Sequence, residues 1–372
     1  MKKEDILGLL IFLIALGAGF IVSITVIPQY DVFFMDRFWF IILTAALAFI
    51  LNSVGLEVLH ALGAKLGGYE VVLINVLGIQ FEKIAGKWKF HYTDYNGLTG
   101  ETKLAPKKEK QNLKLFVWVP LIAYILEVAV GALIIALVKE NAFSEVAPSW
   151  LALGAVIFIT ASSMLALYNL MPLKLNNLND GYRLRLLSDP KNLEAINELY
   201  RVENLLRQGE ETGEIKTFEN INDFTSDVNL YYVYDQLAKK NNKKALDVID
   251  LMLSNKNNLS EYVVYRLLAQ KMYALIMIDE EKAKDFYDLE VKDNVRTFIA
   301  NDRSAESLRA YALIAGIIDK SQSEVILVEK RFTRVNDESL AARKTIEKKL
   351  FDEAIEKIYN AHPEWVKENI AA

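Results

Sequence analysis

Two side chains of the sequence have the types and spacing of part of a hydrolytic metal site: Glu57 and His60. In an HExxH helix two histidines at i and i+4 hold a zinc ion, and the intervening glutamate activates a metal-bound water. Here residues 56–60 read Leu-Glu-Val-Leu-His, so that Leu56 stands at the position of the first histidine. Leucine has no donor atom, and a catalytic zinc takes three protein donors with a fourth position for water. The pattern therefore predicts weak or absent zinc binding and impaired catalysis.

Simpler explanations of the same residues remain open at this point. Glu57 and His60 lie one helical turn apart and fit a local hydrogen-bonded pair. Asp180 precedes Gly181, and Asp-Gly is a common turn dipeptide. The remaining histidines, His91 and His362, have no second histidine nearby and are predicted to be surface residues.

Apolar residues are concentrated in the first half of the chain, whereas the second half is highly charged. Crossing a hydrocarbon core of about 30 Å takes about 20 apolar residues in a helix. Four segments meet that requirement, at about residues 6–27, 38–62, 115–138 and 150–171. The first is too long for a signal-peptide core and no small-residue cleavage site follows it, so it is interpreted as a retained span. The sequence thus predicts a multi-pass membrane domain followed by a soluble domain.

Charge and cysteine content narrow the function classes. The net charge of -5 is mild and argues against a nucleic-acid partner. The chain has no cysteine, which excludes disulfides and thiolate metal sites. Lysines crowd the segment between the second and third predicted spans, and Lys2 and Lys3 precede the first. By the positive-inside rule, both termini and this middle segment are predicted to be cytoplasmic.

The middle segment and the soluble half have different patterns. Residues 69–95 are rich in strand-forming residues and predict a small membrane-associated sheet, either a simple connection or an edge that accepts an extended substrate. From residue 188 onward, helical spacing predicts a soluble all-α domain. Its helices are expected at 190–208, 226–241, 244–254, 260–278, 280–289, 304–320 and 338–361. The array is either an ordinary bundle or a tetratricopeptide-like set of helical hairpins with a docking groove.

Two motifs together carry a resemblance to a known family. Leu56-Glu57-Val58-Leu59-His60 with Gly67-Gly68 resembles the HExxH helix of the site-2 protease family and its glycine-rich exit into a sheet. Asn169-Leu170-Met171-Pro172, followed by Asn179-Asp180-Gly181, resembles that family's second motif. The resemblance covers roughly residues 6–187. It implies a polytopic, mainly α-helical intramembrane zinc metalloprotease of a bacterial-type cytoplasmic membrane.

The resemblance also implies roles for individual residues. His60 and Asp180 would be zinc ligands and Glu57 the catalytic base, while Leu56 marks the lost ligand position. Asn169, Pro172 and Gly181 would bind substrate or shape the backbone. The implied substrate is a membrane peptide or a single-span protein in the lipid bilayer, with a further protein partner at the C-terminal domain of residues 188–372. The alternative is a non-catalytic pseudoprotease or scaffold that binds such a partner without cutting it.

Glu127 is a second departure from the family, because it places a carboxyl group inside the third predicted span. A carboxylate at membrane depth costs on the order of a few kcal/mol unless it is paired, protonated or facing a water-filled cavity. Three explanations are open. Glu127 replaces the missing zinc ligand, it bonds to Asn52 or Ser53, or it lies near an interface as the neutral acid.

Overall fold

The computed structural model describes residues 38–84, 86–92, 100–108, 111–139, 148–170, 179–337 and 341–365. The chain divides into two compact units, Met1–Pro190 and Lys191–Ala372. The predicted first span at 6–27 and the motif residue Pro172 lie outside the described residues.

Three long apolar helices form the frame of the first unit: α1 (Phe38–Leu66), α2 (Lys114–Lys139) and α3 (Pro148–Leu170). Each contains a stretch long and apolar enough to cross a membrane. The three helices pack against one another. Gly63 lets α1 and α2 approach closely, since a Cβ there would lie 2.3 Å from the carbonyl oxygen of Leu115. The helices agree with the predicted second to fourth spans, and α1 runs one turn further than expected.

A four-stranded antiparallel sheet lies in the chain between α1 and α2. Its strands are β1 (Tyr69–Val76), β2 (Ile79–Ile84), β3 (Lys87–Tyr92) and β4 (Gly100–Pro106), in the spatial order β3-β2-β1-β4. Leu77 and Gly78 join β1 to β2 with positive φ angles of 51° and 86°, the conformation of a tight hairpin turn. Strands β1 and β4 pack against α1. The first three strands match the predicted sheet, whereas β4 was not predicted.

All regular elements in the described part of the second unit are helices. The helices are α5 (Pro190–Gln208), α6 (Asp223–Ala238), α7 (Asn242–Ser254), α8 (Glu261–Ile278), α9 (Glu280–Phe286), α10 (Asn294–Asn301), α11 (Ala305–Leu313), α12 (Gln322–Asp337) and α13 (Ala341–Ala361), following α4 (Asp180–Leu186) of the first unit. π-Helical turns continue α9 over Tyr287–Val291 and α11 over Ile314–Ile318. Seven of these helices correspond to predicted ones, whereas α10 and α12 were missed.

Three helices of the second unit begin where a side chain satisfies free backbone N–H groups. Asn222 accepts from the backbone N–H of Thr225, and the Thr225 side chain accepts from that of Asn222, which is a capping box at the start of α6. Asp279 and Ser304 cap α9 and α11 in the same way with their side-chain oxygens. Apolar side chains from all of these helices then form one buried core.

A buried ionic cluster crosses the core of the second unit. Arg309 and Glu347 are fully buried and lie 3.3 Å apart, and Glu306 contacts Arg266 at 2.9 Å and also Arg343. Burial alone would raise the pKa of Glu306, but the charges of Arg343, Arg266 and Arg309 outweigh it and hold that pKa far below its usual range. Removing one member of such a cluster leaves an uncompensated buried charge, which is strongly destabilising.

Candidate functional site

Glu57 and His60 occupy the C-terminal third of α1 and face the protein interior. Their exposed fractions are 2% and 5%, and that of Leu56 is 2%. The Nδ1 atom of His60 lies 3.5 Å from Oε2 of Glu57, so the local pair that the sequence allowed is present but long. Leu56 lies one turn before His60 and directs a hydrocarbon side chain into the same interior.

Strand β4 contributes the closest partner of Glu57. Thr102 Oγ1 donates a hydrogen bond of 2.5 Å to Glu57 Oε2. Gly100 makes this approach possible, because a Cβ at that position would lie 2.6 Å from Glu57 Cγ and 2.3 Å from the carbonyl oxygen of Asn75. Sequence reasoning missed both residues. The segment Gly-Glu-Thr-Lys-Leu-Ala-Pro has a glycine and a proline at its ends and alternates too weakly to mark a strand.

Asp180 is the first residue of the short helix α4. The side chain of Asn179 caps this helix by accepting from the backbone N–H of Tyr182 at 2.9 Å, and its Nδ2 donates to the carbonyl oxygen of Tyr168 at 3.1 Å. The cap therefore ties the start of α4 to the last turn of α3. Gly181 follows as the second residue of the helix, and the Asp180 side chain is buried.

The two motifs meet at this point. His60 Nε2 and Asp180 Oδ2 lie 2.8 Å apart across 120 positions of sequence. Burial alone would raise the pKa of Asp180, but the charge and hydrogen bond of His60 and the charge of Arg183 outweigh it and lower that pKa. The His60 ring stacks on Phe116 of α2, with ring centroids 4.2 Å apart and an interplanar angle of 3°. The imidazole is thus held by stacking and by the carboxylate together.

These donors do not fit a catalytic zinc site, which needs three protein ligands and an open position. His60 and Asp180 supply two donor atoms, and they bond to each other. Leu56 supplies none. Within the residues that the structure describes, no three His, Asp or Glu side chains form a group able to hold a metal ion. His91 and His362 are engaged elsewhere, with Gln80 at 3.0 Å and with the carbonyl oxygen of Gly316 at 3.0 Å.

Two further polar groups of this unit have unused hydrogen-bonding capacity. The hydroxyl of Tyr124 on α2 is buried and has no hydrogen-bond partner among the described residues. It lies within electrostatic range of Glu57, Asp180 and Glu127. The Nδ2 atom of Asn169, near the end of α3, is likewise buried without a partner in the described part of the chain. Such groups are costly in a protein interior, and a bound polar ligand or water would satisfy them.

Glu127 takes part in a separate polar network. Its carboxyl group is hydrogen-bonded to the Ser162 hydroxyl of α3, which also lies 2.9 Å from Asn52 Oδ1. Asn52 in turn donates to the carbonyl oxygen of Ala48 at 2.8 Å. Among the explanations left open by the sequence, hydrogen bonding between the long apolar helices is present, and it connects Glu127 to Asn52 through the Ser162 hydroxyl. Ser53 is buried, and its hydroxyl has no hydrogen-bond partner among the described residues.

Comparison with known proteins adds no assignment: no protein-family model, curated protein or solved structure matches this chain.

Proposed function

We propose that this chain is a membrane protein of site-2 protease type whose inherited hydrolytic site is impaired, and that it binds a membrane-proximal peptide without cutting it. The observation that carries the proposal is the direct bond between His60 and Asp180, with Leu56 on the same helix at the lost ligand position. Leucine offers no donor atom, so this face of the helix lacks one of the three protein ligands that a catalytic zinc takes.

Insertion into a membrane is supported by the outer surfaces of two of the long helices, α1 and α2. Leu43 and Val58 on α1 and Leu126 and Leu133 on α2 are all more than half exposed. In water such exposed apolar surface would make copies of the protein associate. In a bilayer the same side chains contact lipid acyl chains. The lysine-rich segment between α1 and α2 supports a cytoplasmic position for that segment and for both termini, in a bacterial-type membrane.

Peptide binding is supported by the edge of the sheet beside the site. Among the described strands β4 pairs only with β1, so it is an end strand of the sheet. An extended segment of a membrane peptide or single-span protein added at this edge would lie close to Thr102 and Glu57. The Tyr124 hydroxyl and the Asn169 Nδ2 atom, which have no hydrogen-bond partner among the described residues, offer hydrogen bonds to such a segment.

The helical unit is the proposed docking place for a second protein partner. A groove of about 540 Å³ is lined by residues of α6, α8 and α13, including Leu237, Tyr273 and Met277. Lys240 and Glu353 stand at its wall. The helices of this unit are proposed to form a tetratricopeptide-like array of hairpins. Arrays of this kind bind peptides along such grooves.

The test compares zinc content and peptide cleavage in the unaltered chain, in Leu56→His and in Leu56→His/Glu57→Gln, each purified in detergent. Leu56→His completes the HExxH face, so it should gain zinc by elemental analysis, and any cleavage of membrane peptides should vanish in the double variant. The unaltered chain should hold far less than one zinc per protein and should cut nothing. It should still crosslink to a peptide through a cysteine placed on β4 by Glu101→Cys.

Stoichiometric zinc in the unaltered chain, with cleavage that depends on Glu57, would overturn the proposal. In that case Glu127→Gln identifies or rejects Glu127 as the replacement ligand, according to whether zinc is lost. The unaltered chain could instead contain no zinc and also fail to crosslink to any membrane peptide. That result would overturn the proposed peptide binding.

A further inference from the structure

A cluster of side-chain oxygen atoms joins the three long helices of the first unit near their midpoints. Asn52 belongs to α1, Glu127 to α2 and Ser162 to α3. At about 1.5 Å per residue, Glu127 lies about 18–20 Å along the helix from either end of α2. With the helices inserted in a bilayer as proposed above, these side chains lie near its midplane. We call Asn52, Glu127 and Ser162 the oxygen cluster.

The Ser162 hydroxyl is shared by three acceptor oxygens. It is hydrogen-bonded to the carboxyl group of Glu127, and it lies 2.9 Å from Asn52 Oδ1 and 2.9 Å from the carbonyl oxygen of Phe158. The orientation of the Asn52 amide is fixed, because its Nδ2 donates to the carbonyl oxygen of Ala48 at 2.8 Å. A hydroxyl has a single hydrogen. The cluster therefore contains more acceptor oxygens than the Ser162 hydroxyl can satisfy.

The three helices offer Glu127 no basic residue at its own depth. Lys65 lies in the last turn of α1, Lys114 and Lys139 are the end residues of α2, and α3 has neither lysine nor arginine. His60, two turns beyond Asn52 on α1, is engaged in the site described above. A carboxylate at membrane depth is costly unless it is paired, protonated or facing water. A positive charge must therefore reach Glu127 from outside these helices.

Tyr124 adds a buried hydroxyl group beside the oxygen cluster. It lies one helical turn before Glu127 on α2, and Glu127 is the carboxyl group with the strongest electrostatic interaction with it. The side chain is only 6% exposed, and its hydroxyl has no hydrogen-bond partner among the described residues. The hydroxyl of Ser53, next to Asn52, is fully buried and likewise has no partner in the described part of the chain. A bound ion or water satisfies such groups.

We propose that the oxygen cluster binds a monovalent alkali cation. Carboxylate, amide and hydroxyl oxygens are hard donors that suit alkali and alkaline-earth ions. One carboxylate balances one positive charge, whereas a divalent ion would leave a charge uncompensated at membrane depth. A proton on Glu127 would still leave Asn52 and Phe158 competing for the one hydrogen of Ser162, but a cation attracts oxygens without hydrogens. The inference rests on the membrane insertion proposed above and is independent of peptide binding.

The test measures the binding of sodium and potassium to the full-length protein in detergent. Sodium chloride or potassium chloride replaces choline chloride at constant ionic strength, and the unfolding midpoint is followed by circular dichroism. The midpoint should rise and then saturate with at least one of the two ions, because a ligand that binds only the folded protein stabilises it. Binding of radioactive sodium or rubidium in the same buffer should approach one ion per chain.

Three variants assign the ion to the cluster. Glu127→Gln keeps the size of the side chain and removes its charge, so it should weaken binding by about tenfold or more and remove most of the midpoint shift. Ser162→Ala should weaken binding to a smaller extent, and it carries the test if Glu127→Gln does not fold in choline chloride. Glu57→Gln makes the same substitution in the neighbouring site and should leave ion binding unchanged.

An unaltered chain that binds neither ion and shows no midpoint shift would overturn the proposal. A midpoint that responds to acid but to neither ion, with the response lost in Glu127→Gln, would identify a proton as the neutralising charge and also overturn it. Binding that is lost in Glu57→Gln but kept in Glu127→Gln would reject the oxygen cluster as the site. Membrane insertion is checked separately by a fluorophore at Leu126→Cys, which lipids spin-labelled deep in the acyl chain should quench.

Discussion

His60 and Asp180 are joined directly, Nε2 to Oδ2 at 2.8 Å, although one lies in a long apolar helix and the other begins a short helix 120 positions later. Asn179 makes this possible by capping α4 and bonding to Tyr168 at the end of α3. Both side chains are buried, and each is a hydrogen-bond partner of the other. The pair therefore acts in this chain as a structural link between α1 and α4.

The first prediction tests that link with a double-mutant cycle. His60→Leu and Asp180→Leu should each lower the free energy of unfolding by about 3–5 kcal/mol, because each leaves one buried charged or polar partner uncompensated. The double variant should cost no more than either single change. The measurement is unfolding of the detergent-solubilised protein, with His91→Leu as a control expected to cost only about 0.5–1.5 kcal/mol, the contribution of its single hydrogen bond to Gln80. Additive losses in the double variant would show that the two side chains do not interact.

The second prediction concerns the crossing of α1 and α2. Gly63→Ala should destabilise the first unit by about 1–3 kcal/mol, since its Cβ would lie 2.3 Å from the Leu115 carbonyl oxygen and would push the helices apart. Gly55→Ala on the same helix is the matched control, because a Cβ there meets nothing within 4 Å. The control should be neutral or stabilising by up to about 1 kcal/mol, as alanine favours the helix over glycine. Equal unfolding midpoints for the two variants would refute the close crossing.

The third prediction concerns pH and Glu198 of α5. Burial alone would raise the pKa of Glu198, but hydrogen bonds from Arg201 and from the backbone N–H of Lys216 outweigh it and lower that pKa. Arg201 also donates to the carbonyl oxygens of Thr212 and Glu214, so the pair fixes the loop after α5. Because the folded pKa is lowered, the stabilisation is fully present above the ordinary glutamate value of about 4.3. It is lost as pH falls through the folded pKa.

The measurement is the melting temperature followed by circular dichroism at about pH 6 and at successively lower pH below the ordinary glutamate value. Glu198→Gln should be less stable than the unaltered chain by about 1 kcal/mol at the higher pH, a modest value because Arg201 is partly exposed. The two proteins should converge as the medium is acidified. Glu194→Gln, which removes an exposed 3.1 Å pair with Lys216, should parallel the unaltered chain throughout. A difference for Glu198→Gln that does not shrink in acid would exclude the titration of this carboxyl group.

Local pattern was sufficient for most of the elements. The long apolar runs predict α1, α2 and α3 because a helix that is apolar on all sides has the same signature wherever it lies. The alternation of Lys87, Trp88, Lys89 and Phe90 predicts β3 in the same way. Helix α12 was missed even though Val325, Val328 and Phe332 are buried at helical spacing. Its many charged residues obscured the apolar stripe.

The sequence alone determined which chemical groups are available: a glutamate and a histidine one turn apart, a distant aspartate, and leucine where a ligand would stand. Only the tertiary structure decided that His60 bonds to Asp180, that Thr102 approaches Glu57 past Gly100, and that Glu127 joins Ser162. The physical reason is the separation of the residues in sequence. Helix and strand periodicity depends on neighbours within a few residues. These contacts join residues far apart in sequence, so they depend on how the helices and strands pack.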